Sequence, residues 1–184
     1  MTNSFLINIT GVIGLLINVY SLTRRSDQAL RGIIGVGFGV WMVNNLLLAA
    51  YSAAALCGVA MTRQAVAVYV VEKVRVRSKV ALCLFFVLLV LGFSAYTWQG
   101  WGTVFACVSS LFSTVAMFFF KGARLRLTVA FAYALWGCAT ICYQAWWALG
   151  ANVLLTTAAF WGYWQLARPV ERDAPLASPP TNLG

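Results

Sequence analysis

Apolar residues in this chain come in long unbroken runs, without the strict alternation of a half-buried strand or the narrow stripe of a surface helix. The runs cover Phe5–Thr23, Gly32–Ala50, Tyr51–Val71, Val80–Tyr96, Gly102–Phe120, Leu127–Trp146 and Ala148–Ala167. A membrane-spanning helix needs about 20 mainly apolar residues, because each adds ~1.5 Å across a hydrocarbon core of ~30 Å. The pattern therefore predicts an all-α membrane protein with seven transmembrane helices.

The segments between runs alternate in character. Arg24, Arg25 and Arg31 follow the first run, Lys73, Arg75, Arg77 and Lys79 the third, Lys121, Arg124 and Arg126 the fifth, and Arg168 and Arg172 the last. The intervening segments, Tyr51-Ser52, residues 96–102 and residues 146–150, have no Lys or Arg and are rich in Trp and Tyr. Cytoplasmic loops carry the positive excess, and Trp and Tyr favour the interface. The expected topology has the N-terminus periplasmic, the C-terminus cytoplasmic and an odd number of spans. The N-terminus lacks a basic n-region, so the first run reads as a retained span. Residues 1–168 form the predicted transmembrane domain. All four prolines lie in residues 169–184, which read as a disordered cytoplasmic tail.

Composition sharpens this picture. The chain is 62% hydrophobic and 9% charged, against about 25% charged in a soluble domain. The formal net charge of +9 follows from the basic loops, which removes the case for a nucleic-acid partner. There is no His, and Cys57, Cys83, Cys107, Cys138 and Cys142 lie inside apolar runs without a Cys-x-x-Cys. A metal site or thiol-redox centre needs ligand spacing or an exposed thiolate. No metal or cofactor is expected. With no intramembrane carboxylate and no paired nucleophile and base, an enzyme is not expected either.

The sequence also matches itself at an offset of 95 residues. Leu30-Arg31 falls on Leu125-Arg126, Trp41 on Trp136, Asn45 on Thr140, Tyr51 on Trp146, Thr62 on Thr157 and Asn18 on Ser113. The predicted architecture is two three-helix repeats, 5–71 and 100–167, joined by a linker helix over 80–96. A single linker span makes the repeats parallel, related by an axis along the membrane normal, and substrate sites in such proteins lie near the midplane at the repeat interface.

Within the third run stands Arg63. A cation deep in a bilayer is costly, on the order of 3 kcal/mol on insertion scales, and marks a cavity or a partner. The four acids, Asp27, Glu72, Glu171 and Asp173, all lie at run ends or in the tail, so none stands beside it in sequence. Counting residues for depth brings Arg63, Thr62, Asn18, Trp41, Asn45, Ser113, Trp136, Thr140 and Thr157 into one candidate substrate-binding layer. Asn44, Gln64, Gln144 and Asn152 are further polar candidates. For each Ser, Thr or Asn the competing role is helix packing, worth about 0.6 kcal/mol. Gly35 and Gly39 form a small-xxx-small pair suited to close helix approach.

The stretch WMVNNLLLAAYSAAALCGVAMTRQAVAVY resembles the YgjV-like family of bacterial inner-membrane proteins. Members show an aromatic residue, a Tyr followed by Thr/Ser-Ala-Ala, an Asn-rich segment and an Arg. Tyr51-Ser52-Ala53-Ala54 and Arg63 match, while Cys57 and Ala60 stand where the family has asparagines. RLRLTVAFAYALWGCATICYQAWWALG is similar to the family's later pair of Trp-containing helices. The resemblance implies the inner membrane as location. The topology is also similar to that of the SWEET and PQ-loop carriers, although no span here carries their hinge proline.

The reading that follows is a small carrier or channel for an anionic or zwitterionic solute bound near Arg63. The alternative is a non-catalytic partner or regulatory subunit of a membrane complex, with the polar residues binding another helix. Expected partners are the lipid bilayer, a small solute and a second copy or another membrane protein.

Overall fold

A computed structural model describes residues 2–48 and 51–167; the predicted tail lies outside the described residues. The described residues form seven helices: α1 Thr2–Thr23, α2 Asp27–Leu47, α3 Tyr51–Val70, α4 Val76–Tyr96, α5 Trp101–Phe119, α6 Gly122–Cys142 and α7 Trp146–Ala167. Among the described residues there is no strand. The first six are long and apolar enough to cross a membrane. Helix α7 is equally long at 22 residues. It carries no charge, but its four Trp, with Asn, Gln and two Thr, lower its hydropathy.

The helices α2, α4 and α6 begin four or five residues before the apolar runs do. Hydropathy marks the stretch immersed in hydrocarbon, whereas a helix continues into the headgroup layer wherever its first turn is stable. At α2 that turn is capped: Ser26 Oγ accepts from the Ala29 amide at 3.3 Å, and Asp27 places a carboxylate at the positive end of the helix dipole.

Short loops make neighbours antiparallel. Helices α1, α3, α5 and α7 run from an end rich in Trp and Tyr to an end rich in Lys and Arg, and α2, α4 and α6 run back. Helix α2 packs between α1 and α3, and α6 between α5 and α7. Contacts of α1 with α7 and of α3 with α5 close the bundle, and α4 packs on α3 and α5. Glycines permit the closest approaches. A Cβ on Gly35 would stand 3.1 Å from Gln64 Cβ, and one on Gly39 3.1 Å from Met61 Sδ, so the predicted small-xxx-small pair seats α2 on α3.

The apolar core fills only the basic half. Leu22, Leu30, Ile34, Ala67, Met117, Phe118, Leu125 and Val129 are buried there, and Phe86 of α4 stacks on Phe118 with ring centroids 5.9 Å apart. The other half, toward the Trp-rich end, encloses space.

Candidate functional site

That space is a cavity of about 710 Å³ lined by every helix. Thr97, Gln99 and Ala145 from the loops, and Tyr51 and Tyr143 from helix ends, belong to its lining, so it reaches the Trp-rich end. Toward the basic end the lining stops at Asn18, Met117 and Val129.

Arg63 stands low in this cavity. On α3, Ala60, Arg63, Gln64, Ala67 and the following Val71 are all buried, and their spacing is that of one helix face turned inward. Arg63 is seven residues from the basic end at Val70, ~10 Å at 1.5 Å per residue. It is thus somewhat below half depth. It is 2% exposed. Its Nη1 donates to Thr114 Oγ1 at 2.6 Å and to the Ser110 carbonyl at 3.3 Å. Both partners lie on α5, one turn from each other, and Ser113 between them also lines the cavity. The Arg63 Nε has no hydrogen-bond partner. No Asp or Glu belongs to the cavity lining among the described residues.

Two more side chains on this floor are unsatisfied. Gln64 is fully buried, and neither its Nε2 nor its Oε1 has a partner. Asn18 is 1% exposed with Oδ1 unpaired. A Cβ at Gly37 would overlap the Asn18 carboxamide. Glycine there is what admits it. Leaving such groups unpaired in a buried site costs about 1–3 kcal/mol each.

Above the floor, Trp41, Tyr133, Trp136, Asn45, Thr140 and Asn152 line the walls. Asn45 Nδ2 donates to the Trp41 carbonyl at 2.8 Å, and Thr140 Oγ1 to that of Gly137 at 2.7 Å. Of the nine residues expected in one layer, the cavity brings together Asn18, Trp41, Asn45, Arg63, Ser113, Trp136 and Thr140. Thr62 and Thr157 are not with them. Both are exposed, and each hydroxyl donates to a carbonyl of its own helix, Gly58 at 2.9 Å and Val153 at 2.9 Å. Thr62 adjoins Arg63, and one residue turns a helix by about 100°, which carries it off the inward face. Of the further candidates, Gln64 and Asn152 line the cavity. Asn44 joins α2 to α1 through the Ile7 carbonyl and Thr10 Oγ1. Gln144 is exposed in the α6–α7 turn with φ 55°.

The basic end is closed by two arginines that sequence reasoning assigned to loops. Arg31 and Arg126 are each 1% exposed. Arg31 donates from Nε to the Met117 carbonyl at 3.1 Å and from Nη2 to the Phe120 carbonyl at 2.9 Å. These are orphan carbonyls at the C-terminus of α5. Arg126 donates from Nη2 to the Arg24 carbonyl and, at 3.0 Å, to that of Arg25, both just past α1. Its Nη1 pairs with Asp27 Oδ1 at 2.8 Å, while Asp27 Oδ2 accepts from the Gly122 amide at 2.7 Å.

A family model described as Imp-YgjV, bacterial inner membrane protein, matches residues 5–169. No curated protein and no solved structure matches the chain.

Proposed function

The chain belongs to the Imp-YgjV family of bacterial inner membrane proteins, and from that premise we propose that it is a small-solute carrier with a central site, open at the Trp-rich end and sealed at the basic end. The observation that carries this reading is a one-ended cavity with a buried cation on its floor. Among the described residues no acid lines the cavity beside Arg63, and the Arg63 Nε is buried without a hydrogen-bond partner. By the positive-inside rule the basic end faces the cytoplasm, so the cavity opens to the periplasm. Helix α7 counts as the seventh span, and the termini lie on opposite sides.

The 95-residue repeat supports a carrier. Arg31 and Arg126 are equivalent in that register, and so are their acceptors Phe120 and Arg25. Each half thus clasps the helix end of the other. The α1–α7 and α3–α5 contacts exchange under the same twofold operation. Asp27 bonds Gly122, its own counterpart, as a residue beside the axis must. In this scheme α4 is the linker. Two parallel halves meeting at a midmembrane site suit alternating access by rocking. Release to the cytoplasm requires both arginine clasps to part.

The surroundings of Arg63 favour binding over support. The Ser110 carbonyl already accepts from Thr114 Oγ1 at 2.7 Å and Ser113 Oγ at 3.1 Å. Removing the guanidinium therefore orphans no backbone acceptor.

Sided labelling tests the proposal. In a cysteine-free background, Ala106→Cys places a thiol on the cavity wall. A membrane-impermeant thiosulfonate should modify it from the periplasmic side. Adding Arg31→Ala and Arg126→Ala should make it reactive from the cytoplasmic side. Reactivity confined to the cytoplasmic side in the parent, or unchanged when both clasps are removed, would contradict it.

A further inference from the structure

We infer that the cytoplasmic exit of the carrier opens between α3 and α5, while α1 and α7 stay packed. The inference deepens the carrier reading and rests on it and on its 95-residue repeat. The halves meet along two seams, α1–α7 and α3–α5. Exact twofold symmetry would make these seams alike. One helix has no counterpart, however. The linker α4 packs on α3 and α5, so it covers one seam and leaves the other bare.

The α1–α7 seam is closed by backbone. A Cβ on Gly162 would stand 2.6 Å from the Leu22 carbonyl oxygen, closer than a real side chain permits. Only glycine lets α7 come this near to α1. In the 95-residue register Gly162 falls on Ala67, and Leu22 on Met117. Ala67 carries a Cβ, so α3 cannot approach α5 as α7 approaches α1. Further from the basic end, Leu15, Val19 and Ala158 on the α1–α7 seam are apolar and pack against the core.

The α3–α5 seam is bridged by a side chain. In the same register Arg63 falls on Ala158, Thr114 on Val19 and Ser110 on Leu15. Where one seam has apolar contact, the other has the Arg63 guanidinium, reaching Thr114 Oγ1 at 2.6 Å and the Ser110 carbonyl at 3.3 Å. Bonds of this kind can be exchanged for bonds to water. The α3 wall is also short of partners in the closed state. Arg63 Nε and both amide atoms of Gln64 are buried without one, whereas the equivalent α7 residues are Ala158 and Ala159. Keeping buried polar groups dry is costly. Water entering beside α3 relieves that cost, and water entering beside α7 relieves nothing. A charged side chain in a span is tolerated best where it meets such water.

Below Arg63 the inward face of α3 continues through Ala67 to Val71, and these meet Met117 and Phe118 of α5 in the apolar core. Helix α4 backs this plug with a buried stripe of Cys83, Phe86, Val90 and Ser94, Phe86 stacking on Phe118. The opposite face of α4 exposes Leu84, Phe85 and Leu88, as suits contact with lipid. Parting α3 from α5 therefore opens a path under Arg63 that α4 screens from the bilayer. Arg63 is the innermost latch of that path.

The test is cysteine scanning of the full-length protein in the cysteine-free Arg31→Ala, Arg126→Ala background, with the membrane-impermeant thiosulfonate added from the cytoplasmic side. Ala67→Cys and Met117→Cys probe the α3–α5 seam, and Ala158→Cys and Leu22→Cys the α1–α7 seam. The first two should react about tenfold faster or more than the second two, since the reactivity of a buried thiol follows the local opening that exposes it. Thr114→Val removes one partner of the latch. It should speed modification of Ala67→Cys by about threefold or more, the range of one net hydrogen bond, and leave Ala158→Cys unchanged. A smaller difference between the seams, or the reverse order, overturns the assignment. So does protection of all four thiols while Ala106→Cys reacts. If Ala106→Cys itself stays protected from the cytoplasm, the carrier reading fails and the exit fails with it.

Discussion

Replacing Arg126 by methionine is expected to destabilise the fold more than any other single change at the basic end. The guanidinium is 1% exposed and serves four acceptors: Asp27 Oδ1 and the carbonyls of Gly122, Arg24 and Arg25. Breaking a buried ion pair from one side costs about 3–5 kcal/mol, because the remaining charge is uncompensated. Asp27 is 19% exposed and lies at the membrane surface, where water relieves part of that cost, so about 3 kcal/mol is appropriate. At roughly 2–4 °C per kcal/mol for a chain of this size, the melting temperature should fall by roughly 6–12 °C. The assay is thermal unfolding of the purified protein in detergent. Asp27→Asn in the same chain removes the stranded charge and keeps an acceptor for the Gly122 amide, so it should restore about half of the loss. If Arg126→Met melts with wild type, the ion pair contributes nothing and the clasp is not what closes this end.

Other consequences are simpler to check. Arg63→Met should melt at or slightly above wild type, since an apolar isostere at a buried charge is often neutral or stabilising; a clear loss of stability would make Arg63 structural. Thr62→Val and Thr157→Val should change stability by no more than about 0.5 kcal/mol and leave the labelling of Ala106→Cys intact; altered labelling would return them to the site. Gly37→Ala should cost about 1–3 kcal/mol through overlap with Asn18, relieved by Asn18→Ala in a melting experiment.

The helices were legible because hydropathy over twenty residues integrates many side chains. Arg63 was legible because a lone cation in an apolar run has few explanations. What hydropathy lacks is direction. It grouped Thr62 with Arg63 by depth, although adjacent residues on a helix face different ways. The inward face of α3, Ala60, Arg63, Gln64, Ala67 and Val71, follows helical spacing and would have ranked Gln64 above Thr62. Arg31 and Arg126 were matched to each other in sequence, then absorbed into the loop charge. Four of their acceptors are backbone carbonyls 86 to 102 residues away, and a carbonyl leaves no mark in a sequence. The unpaired carboxamides likewise exist only in three dimensions.

The Asp27–Gly122 hydrogen bond has a consequence for how such a chain could arise. Under the proposed repeat, a position beside the twofold axis meets its own copy. In an assembly of two identical half-length chains, an aspartate there would face an aspartate, and the two carboxylates would repel across a few ångströms. Once the halves are fused, one copy can keep the carboxylate while the other becomes a glycine whose amide it binds. Gly122 has φ 58°, a conformation that favours glycine, so the two copies have diverged in backbone as well as in side chain. Gene fusion thus permits a one-to-two contact, a single acid bridging an arginine and an amide, that a symmetric homodimer cannot form.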